Sequence, residues 1–165
     1  MELEQKNKYM QEAIKEAEKA RAIDEVPIGA VVVLDGEIIG RGYNRRETTN
    51  DASSHAEMLA IRDANQHLSN WRLEDAELFV TLEPCPMCSG AIILSRLKKV
   101  YYGAHDLKAG TAGTLMNLLT DERFNHQVDV ECGILEAECK ALLQTFFKDL
   151  RKKRKENNRK NLRRK

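Results

Sequence analysis

The decisive stretches of this chain are His55-Ala56-Glu57 and Pro84-Cys85-Pro86-Met87-Cys88. Together they offer one imidazole and two thiols, all of which are good zinc ligands, and one carboxylate that is left over. A structural zinc is closed by four protein ligands, whereas a catalytic zinc keeps one position for water. The sequence therefore predicts one zinc ion per chain, bound by His55, Cys85 and Cys88, with an activated water as its fourth ligand.

The surroundings of the two cysteines favour metal binding. Pro86 suits the first position of a helix, which makes Cys85 the N-cap and places Cys88 at the third helical position on the same side. A helix N-terminus favours the thiolate, which is the form that binds metal. Residues 55–68 carry apolar side chains at helical spacing after two serines that are candidate N-caps. Two helix N-termini are therefore expected to face one metal ion.

Each motif also has a plainer interpretation. Ser54-His55-Ala56-Glu57 fits the Ser-x-x-Glu capping box, in which the glutamate only accepts a hydrogen bond from a backbone N–H. A lone Cys-x-x-Cys can be a redox pair or part of a structural site. The two motifs together, with the proline before Cys85, favour a metal site in which Glu57 is the catalytic carboxylate.

The same two motifs match the His-x-Glu and Pro-Cys-x-x-Cys signature of zinc nucleobase deaminases. Beyond them, the sequence resembles the bacterial tRNA-specific adenosine deaminases of the zinc-dependent cytidine and deoxycytidylate deaminase superfamily, through nearly the whole chain. The stretches that carry this resemblance are Glu25 to Val32, Gly42-Tyr43-Asn44, Val80 to Cys85 and Tyr102 to Asp106.

The resemblance implies an activity and its partners. It implies hydrolytic deamination of adenosine to inosine at the wobble position of a tRNA anticodon, an extruded single-stranded base. Zinc-activated hydroxide would attack C6 of adenine, while Glu57 carries a proton from the water to N1 and then to the departing amine. It also implies that the protein is a homodimer.

The resemblance further suggests which residues contact the substrate. Asn44 matches a residue of the base pocket, although a residue beside two arginines at the end of a strand is also an ordinary turn former. Asp106 matches a position near the ribose, where it would accept a hydrogen bond from the 2′-hydroxyl, although it equally suits a loop cap. The family's usual Arg-Asp pair is here His105-Asp106, which leaves the neighbouring contact open.

The last part of the chain is strongly basic. Residues 148–165 contain eleven Lys or Arg against two acidic residues, while the whole chain has a net charge of only +1. Such a cluster suits phosphate contacts, but it can also be a solvated tail, with Asn157 to Lys165 as a candidate disordered segment. By resemblance, one of two phenylalanines faces a flipped base and the other is core. The candidate RNA contacts in this region are Phe146, Phe147, Lys148, Arg151 and Lys152.

Composition and hydrophobic periodicity predict the architecture. With 42% hydrophobic residues, no apolar run long enough for a membrane span and no signal peptide, the chain is expected to be a cytoplasmic protein, where its thiols stay reduced. Strands that alternate with helices predict a three-layer α/β/α fold with a central mixed sheet of about five strands. We expect a deaminase domain over residues 1–150 and a basic extension over 151–165. The predicted helices are 3–23, 55–68, 86–97 and 135–153, and the predicted strands are 30–34, 37–43, 77–82, 100–103 and 128–132.

The remaining cysteines and histidines are not expected to bind metal. Cys132 continues the alternate-residue face of a strand and Cys139 lies on the apolar stripe of the last helix, so both are predicted to be core positions. His67, near a helix C-terminus, suits the helix dipole. Two rival functions stay open, namely a zinc deaminase of a free nucleobase or nucleoside, and a non-catalytic zinc-stabilised RNA-binding module.

Overall fold

The structure of the chain is a computed structural model, and it describes residues 1–164. A first helix is followed by a hairpin, by two helices in succession and then by three strands, of which the first two are separated by a helix, before the last helix. The elements are α1 (Leu3–Ala22), β1 (Gly29–Leu34), β2 (Glu37–Tyr43), α2 (Arg46–Thr49), α3 (Ala56–Leu68), β3 (Glu77–Leu82), α4 (Pro86–Leu94), β4 (Lys99–Ala104), β5 (Asp129–Cys132) and α5 (Glu136–Arg163).

The five strands form one mixed sheet in the order β2-β1-β3-β4-β5. β1 pairs antiparallel with both β2 and β3, while β3, β4 and β5 are parallel to one another. The predicted α/β fold with about five strands is confirmed. Because β3 and β4 are parallel neighbours, their carboxyl ends lie at the same edge of the sheet, where ligand sites of such folds form.

The turn between β1 and β2 follows its sequence closely. Asp35 and Gly36 both have positive φ angles, 50° and 79°, as the two central residues of a type I′ hairpin turn require. The register shifts by one residue between Val32 and Val33, which marks a β-bulge.

Helices cover both faces of the sheet. α1 and α5 lie on one face, where Met10, Phe79 and Tyr101 belong to one apolar cluster. α3 and α4 lie on the other face, over a larger cluster that includes Ala60, Ile92 and Val80. The three layers predicted from the periodicity are therefore present.

Glycines bring α3 into direct contact with β2. A β-carbon added at Gly42 would lie 2.4 Å from the carbonyl oxygen of Ala56, and one added at Gly40 would lie 2.3 Å from that of Ala60. No side chain fits at these distances, so the helix backbone rests on the strand backbone. This contact fixes the position of the first turn of α3, which contains Glu57.

Two predictions about the end of the chain were wrong, namely that the last helix ends at residue 153 and that the segment from Asn157 onward is disordered. The last helix, predicted to end at residue 153, continues to Arg163, so the segment Asn157 to Arg163 is helical; Lys165 lies outside the described residues. Arg, Lys and Leu in this segment are good helix formers, which offsets the weaker preference of its three asparagines, and Glu156 precedes Lys160 at the favourable four-residue spacing. Ion pairs of Asp149 with Arg21 (3.1 Å) and of Lys153 with Asp24 (3.6 Å) link the helix to the end of α1.

The two cysteines near the end differ in burial. Cys139 is buried as predicted, with its sulfur packed against Gly103. Cys132 is exposed, so its prediction as a core position was wrong. It is the last residue of β5, a short strand at the edge of the sheet, where the alternation of buried and exposed positions breaks down. His67 lies in the last turn of α3, as predicted.

Within residues 1–164, no helix combines the length and the apolar character that crossing a membrane requires.

Candidate active site

Two helix N-termini meet at the predicted metal site. Cys85 is the N-cap of α4, Pro86 is its first residue and Cys88 is buried one turn in, as the sequence predicted. His55 is the N-cap of α3. The Nδ1 atom of His55 lies 3.6 Å from Sγ of Cys85 and 3.5 Å from Sγ of Cys88.

These three donors suit zinc. Zn–N bonds of about 2.0–2.1 Å and Zn–S bonds of about 2.3 Å at a tetrahedral angle place the nitrogen and sulfur atoms about 3.6 Å apart. The distances from His55 to both sulfurs match this value. All three donor atoms lie within 4.8 Å of one another, and among residues 1–164 this is the one cluster of histidine, cysteine and acidic groups that suits a metal ion. Cys132 and Cys139 take no part in it.

The two thiols differ in acidity. Hydrogen bonds from Cys88 and His55 lower the pKa of the Cys85 thiol to about 4, despite its partial burial. The same Cys85 sulfur, together with burial, raises the pKa of Cys88. The hydrogen bond with Cys85 also raises the pKa of His55. A thiolate is therefore already favoured at Cys85, as binding of a cation requires.

Glu57 is not a capping residue. It is the second residue of α3, whose N-cap is His55, and the hydroxyl of Ser54 bonds to that of Thr49 (2.9 Å) instead of capping the helix. The expectation that a serine caps α3 was therefore wrong. The Glu57 side chain is buried beside the metal-site residues, and this burial raises the pKa of its carboxyl to about 7. A carboxyl group with such a pKa can both accept and donate a proton near neutral pH.

The site lies at the bottom of a cavity of about 560 Å³. This volume is typical of a small-molecule pocket. Three of the predicted substrate residues, Asn44, Asp106 and Phe147, lie in its wall together with His55, Glu57 and Cys85. The other lining residues are Val26, Ile28, Arg46, Ala56, Leu82, Glu83, His105, Leu107, Lys108, Ala109 and Leu143.

The Asn44 amide is held in one orientation. Its Nδ2 donates to the carbonyl of Val26 (3.2 Å), and its Oδ1 accepts from the backbone N–H of Arg46 (3.2 Å). An amide has two donor hydrogens and two acceptor lone pairs, so one of each stays available for a ligand. The turn-forming role and a base-reading role are therefore compatible.

Asp106 acts as a loop cap. Its Oδ1 accepts from the backbone N–H groups of Lys108 (3.0 Å) and Ala109 (3.1 Å). The side chain nevertheless lies in the cavity wall, with its second oxygen free of these bonds.

The two phenylalanines point differently. Phe147 is exposed and lines the cavity, whereas Phe146 is half-buried. The ring of Phe146 lies edge-on to the ring of Phe147, with ring centres 5.4 Å apart. Phe147 also lines a neighbouring groove of about 680 Å³ between α5 and the loop after β4, together with Arg151. Lys148 and Lys152 are exposed on α5 outside both cavities.

Several residues of the wall were missed from the sequence. His105 and Lys108 line both the cavity and the groove, and Arg46 stands beside Asn44. Glu83 is buried under the loop after β4. No local pattern marks these residues, since the path of the loops brings them together; for Glu83 and His105, the one signal was membership of the stretches that resemble the deaminases.

Comparisons with known proteins agree with this geometry. A family model described as MafB19-like deaminase matches residues 4–151. The chain is 60% identical over 147 residues to the tRNA-specific adenosine deaminase of Bacillus subtilis (strain 168), covering 89% of this chain and 91% of that one. It is 57% identical over 153 residues to the protein of the same name from Streptococcus pyogenes serotype M18 (strain MGAS8232), covering 93% and 96%. A structure from a study of A-to-I editing by tRNA:A34 deaminases at the wobble position superposes with a TM-score of 0.79 at 44% identity, covering 82% of this chain and 98% of that chain.

Proposed function

The chain belongs to the MafB19-like deaminase family, and from this premise we propose that it is an enzyme that deaminates adenosine in tRNA to inosine. Relatives with this activity in their names share more than half of its residues over nearly the whole chain. The observation that carries the proposal is the buried Glu57 carboxyl beside three zinc-type donors at the bottom of a cavity. This arrangement provides a proton carrier next to a metal site.

We assign the metal site to His55, Cys85 and Cys88, with zinc as the ion. Their donor atoms have the spacing of zinc ligands. Three protein ligands are the number found in catalytic sites, and a zinc ion bound there would supply a water acidified to a pKa of about 7.

Glu57 moves the protons of the reaction. Its carboxylate takes a proton from the attacking water and delivers it to N1 of adenine, which makes C6 more electrophilic. The same carboxyl group then carries a proton to the departing amine, so that ammonia leaves and hypoxanthine remains. Burial raises the pKa of the Glu57 carboxyl to about 7, which suits a group that must alternate between both protonation states.

Asn44 and Asp106 are proposed to orient the nucleotide. Asn44 has one N–H and one lone pair left after its bonds to Val26 and Arg46, and an amide with this pair of groups recognises an adenine edge. Asp106 has a free carboxylate oxygen that can accept from a ribose 2′-hydroxyl. Their positions in the cavity wall support both roles.

The remaining RNA contacts are proposed for α5. Phe147 is an exposed aromatic ring at the rim, where a base can stack on it. Phe146 is a weaker candidate because it is half-buried. Lys148, Arg151 and Lys152 lie on the exposed helix beyond it and can neutralise phosphates.

We further propose that the target is the wobble adenosine of an anticodon loop, that the enzyme is a homodimer and that it works in the cytoplasm. A single-stranded loop base costs little to extrude, and three protein ligands that include two thiols need a reducing compartment. We also propose that the chain consists of a deaminase domain, residues 1–150, and a basic extension, residues 151–165.

The test is to incubate the purified protein with total tRNA and, separately, with free adenosine. Inosine in tRNA is read by sequencing as A-to-G changes, and turnover of both substrates is measured as released ammonia. We expect changes confined to anticodon wobble positions and little reaction of free adenosine. Equal turnover of both substrates would favour a free-nucleoside deaminase.

A second experiment separates catalysis from a zinc-stabilised RNA-binding role. Glu57→Ala should keep bound zinc, folding and RNA binding but release no ammonia. A variant as active as the wild type would refute the proton transfer assigned to Glu57.

A further inference from the structure

We propose that Glu83 is a positioning residue, which holds the loop of residues 105–114 in the shape that the nucleotide requires. The identity of that nucleotide rests on the proposed function, whereas the anchoring of the loop does not. Glu83 follows β3 and its side chain is fully buried. It lies in the cavity wall, underneath the loop.

The loop supplies all the hydrogen-bond donors to this carboxylate. Oε1 accepts from the backbone N–H of Asp106 (3.2 Å) and from the hydroxyl of Thr114. Oε2 accepts from the backbone N–H groups of Ala112 (3.0 Å) and Thr114 (3.1 Å). Nδ1 of His105 lies 3.5 Å from Oε1. Both ends of the loop are thus attached to one buried group.

The loop backbone is shaped around the carboxylate. A β-carbon added at Gly110 would lie 2.4 Å from the carboxyl carbon of Glu83 and 2.5 Å from its Oε1. A real β-carbon does not approach so closely, so a residue without a side chain is needed here. A second attachment lies next to the first, where Thr111 donates from its backbone N–H (2.9 Å) and its hydroxyl (3.2 Å) to the carbonyl of Pro84.

The anchored loop forms the ridge between the cavity and the groove. His105, Leu107 and Lys108 line both of them. Leu107, the large apolar side chain of the ridge, is 77% exposed, and the apolar residue of the loop that is buried in the core, Ala112, lies at its other end. The position of the side chains that meet the RNA therefore depends on the hydrogen bonds to Glu83.

Glu83 itself does not meet the reacting atoms. Its two oxygens already accept four hydrogen bonds from the loop, which leaves little capacity for a substrate. A glutamine at this position keeps the size but replaces one carboxylate oxygen by an NH₂ group, so in either orientation of the amide at least one backbone N–H of the loop loses its acceptor and faces another donor. Glu83→Gln is therefore expected to loosen the loop without removing a group that takes part in the chemistry.

The experiment compares Glu83→Gln with Glu77→Gln, which removes a carboxylate from the other end of the same strand. The zinc-loaded variants are measured by hydrogen exchange of peptides that cover residues 105–114. They are also assayed on a synthetic anticodon stem-loop RNA with adenosine at the wobble position. For Glu83→Gln we expect faster exchange of the loop amides, by about tenfold or more. The RNA concentration for half-maximal rate should rise about tenfold, while the rate at saturation falls much less. Glu77→Gln should match the wild type in both.

A second variant reaches the same contact from the loop side. Gly110→Ala places a methyl group against the Glu83 carboxylate and, at 2.5 Å, against the backbone carbonyl oxygen of Asp106, whereas Gly90→Ala, where an added β-carbon meets nothing within 4 Å, serves as its control. Gly110→Ala should reproduce the faster exchange and the weaker RNA use. If Glu83→Gln does not fold, unchanged loop exchange in Gly110→Ala still overturns the role of Glu83, and the same exchange assay on Thr114→Val, which removes one hydrogen bond to Glu83 without this backbone clash, should show faster exchange.

The outcomes separate the two proposals. Wild-type loop exchange in both Glu83→Gln and Gly110→Ala would overturn the role of Glu83, even if the wild-type enzyme makes inosine. A loss of bound zinc in Glu83→Gln without a change in loop exchange would overturn it as well. Faster loop exchange in a chain whose wild type makes no inosine would support the anchoring and refute the proposed substrate.

Discussion

Substitution of Gly42 by alanine should displace the catalytic helix. The added β-carbon would lie 2.4 Å from the carbonyl oxygen of Ala56 and 2.5 Å from the backbone N of Ala60, whereas ordinary contacts begin at 3.4 Å. Both obstacles are backbone atoms of α3, so no side-chain rotation relieves the clash. The first turn of α3 must therefore move by roughly 1 Å, since overpacked cores respond by backbone shifts.

The size of the expected losses of rate and stability follows from the residues in this turn. His55 and Glu57 lie on either side of Ala56, so both move with it. A misplacement of about 1 Å can lower the rate about 10²-fold. Overpacking should also reduce the free energy of unfolding by about 1–3 kcal/mol. For a chain of this size, each kcal/mol lowers Tm by about 2–4 °C.

Gly40→Ala is the matched control. Its β-carbon meets the carbonyl of Ala60 at 2.3 Å, so the clash is equally severe but lies about one helical turn farther from the metal site. The assay is kcat/KM for inosine formation on an anticodon stem-loop, with Tm and zinc content measured on the same samples. We expect similar losses of Tm in the two variants and a much larger loss of kcat/KM in Gly42→Ala. Equal losses of kcat/KM at equal Tm, or a Gly42→Ala variant with unchanged Tm, would refute the reasoning.

Three further predictions concern the metal, the base and the basic helix. Removal of zinc with a chelator should abolish inosine formation and lower Tm, because three converging donors are left without their cation. Addition of one equivalent of Zn²⁺ should restore both. Full activity in protein shown to contain no metal would contradict the assignment of the metal site. Asn44→Asp keeps the acceptor for the backbone of Arg46 but loses the amide donors, so kcat/KM should fall by an amount equivalent to about 1–3 kcal/mol, with Tm as the check on folding. Replacing basic residues beyond the cavity with glutamine should reduce the slope of log affinity against log salt by about 0.7 for each phosphate that the protein no longer neutralises, with little change in the rate at saturating RNA. An unchanged slope would mean that the replaced residues do not neutralise RNA phosphates. The residues to replace together are Lys152, Lys153, Arg154 and Lys155.

Local rules predicted the parts of the site that lie within one helical turn. Pro86 defines the start of α4, and this alone places Cys85 and Cys88 on the same side. The same reasoning chose the wrong cap for α3, because His55 takes the N-cap position and the Ser54 hydroxyl is bonded to Thr49. The three predicted ligands nevertheless converge, with the Nδ1 atom of His55 3.6 Å and 3.5 Å from the two sulfurs, because the choice of these residues depends on residue types and spacing and not on the cap.

Predictions were less accurate where contacts between distant parts of the chain determine the burial or the position of a residue. Alternation along β5 suggested a buried Cys132, but the strand ends at the sheet edge and the thiol is exposed. The segment from Asn157 onward was a candidate disordered end, yet α5 continues to Arg163. His105 reaches the cavity only because β4 lies beside β3 and both end at the same edge. Such neighbours are far apart in sequence, so spacing does not reveal them.

The walls of the cavity illustrate a general constraint on an enzyme whose substrate is a large, charged polymer. Segments at the rim of such a cavity must stay open to solvent, so they have few apolar contacts to hold them, as the exposed residues 45–52, which include α2, and the exposed Leu107 show. In this chain, a buried carboxylate lies behind each of these two segments. Glu25 accepts from the backbone N–H groups of Glu47 and Thr48, both at 3.1 Å, and Glu83 accepts from the loop after β4.

Burying an ionised carboxylate is costly unless its hydrogen bonds are satisfied, and truncation of such a group leaves several donors without a partner. Within residues 1–164, neither Glu25 nor Glu83 has a Lys or Arg ion pair, so backbone N–H groups of the loops balance the desolvation. A salt bridge from a long side chain would leave the loop backbone free to move, whereas a carboxylate that accepts directly from the backbone restricts it. The two acids therefore connect the buried part of the domain to the exposed rims of the cavity, so the shape of these rims depends on residues that lie beneath them.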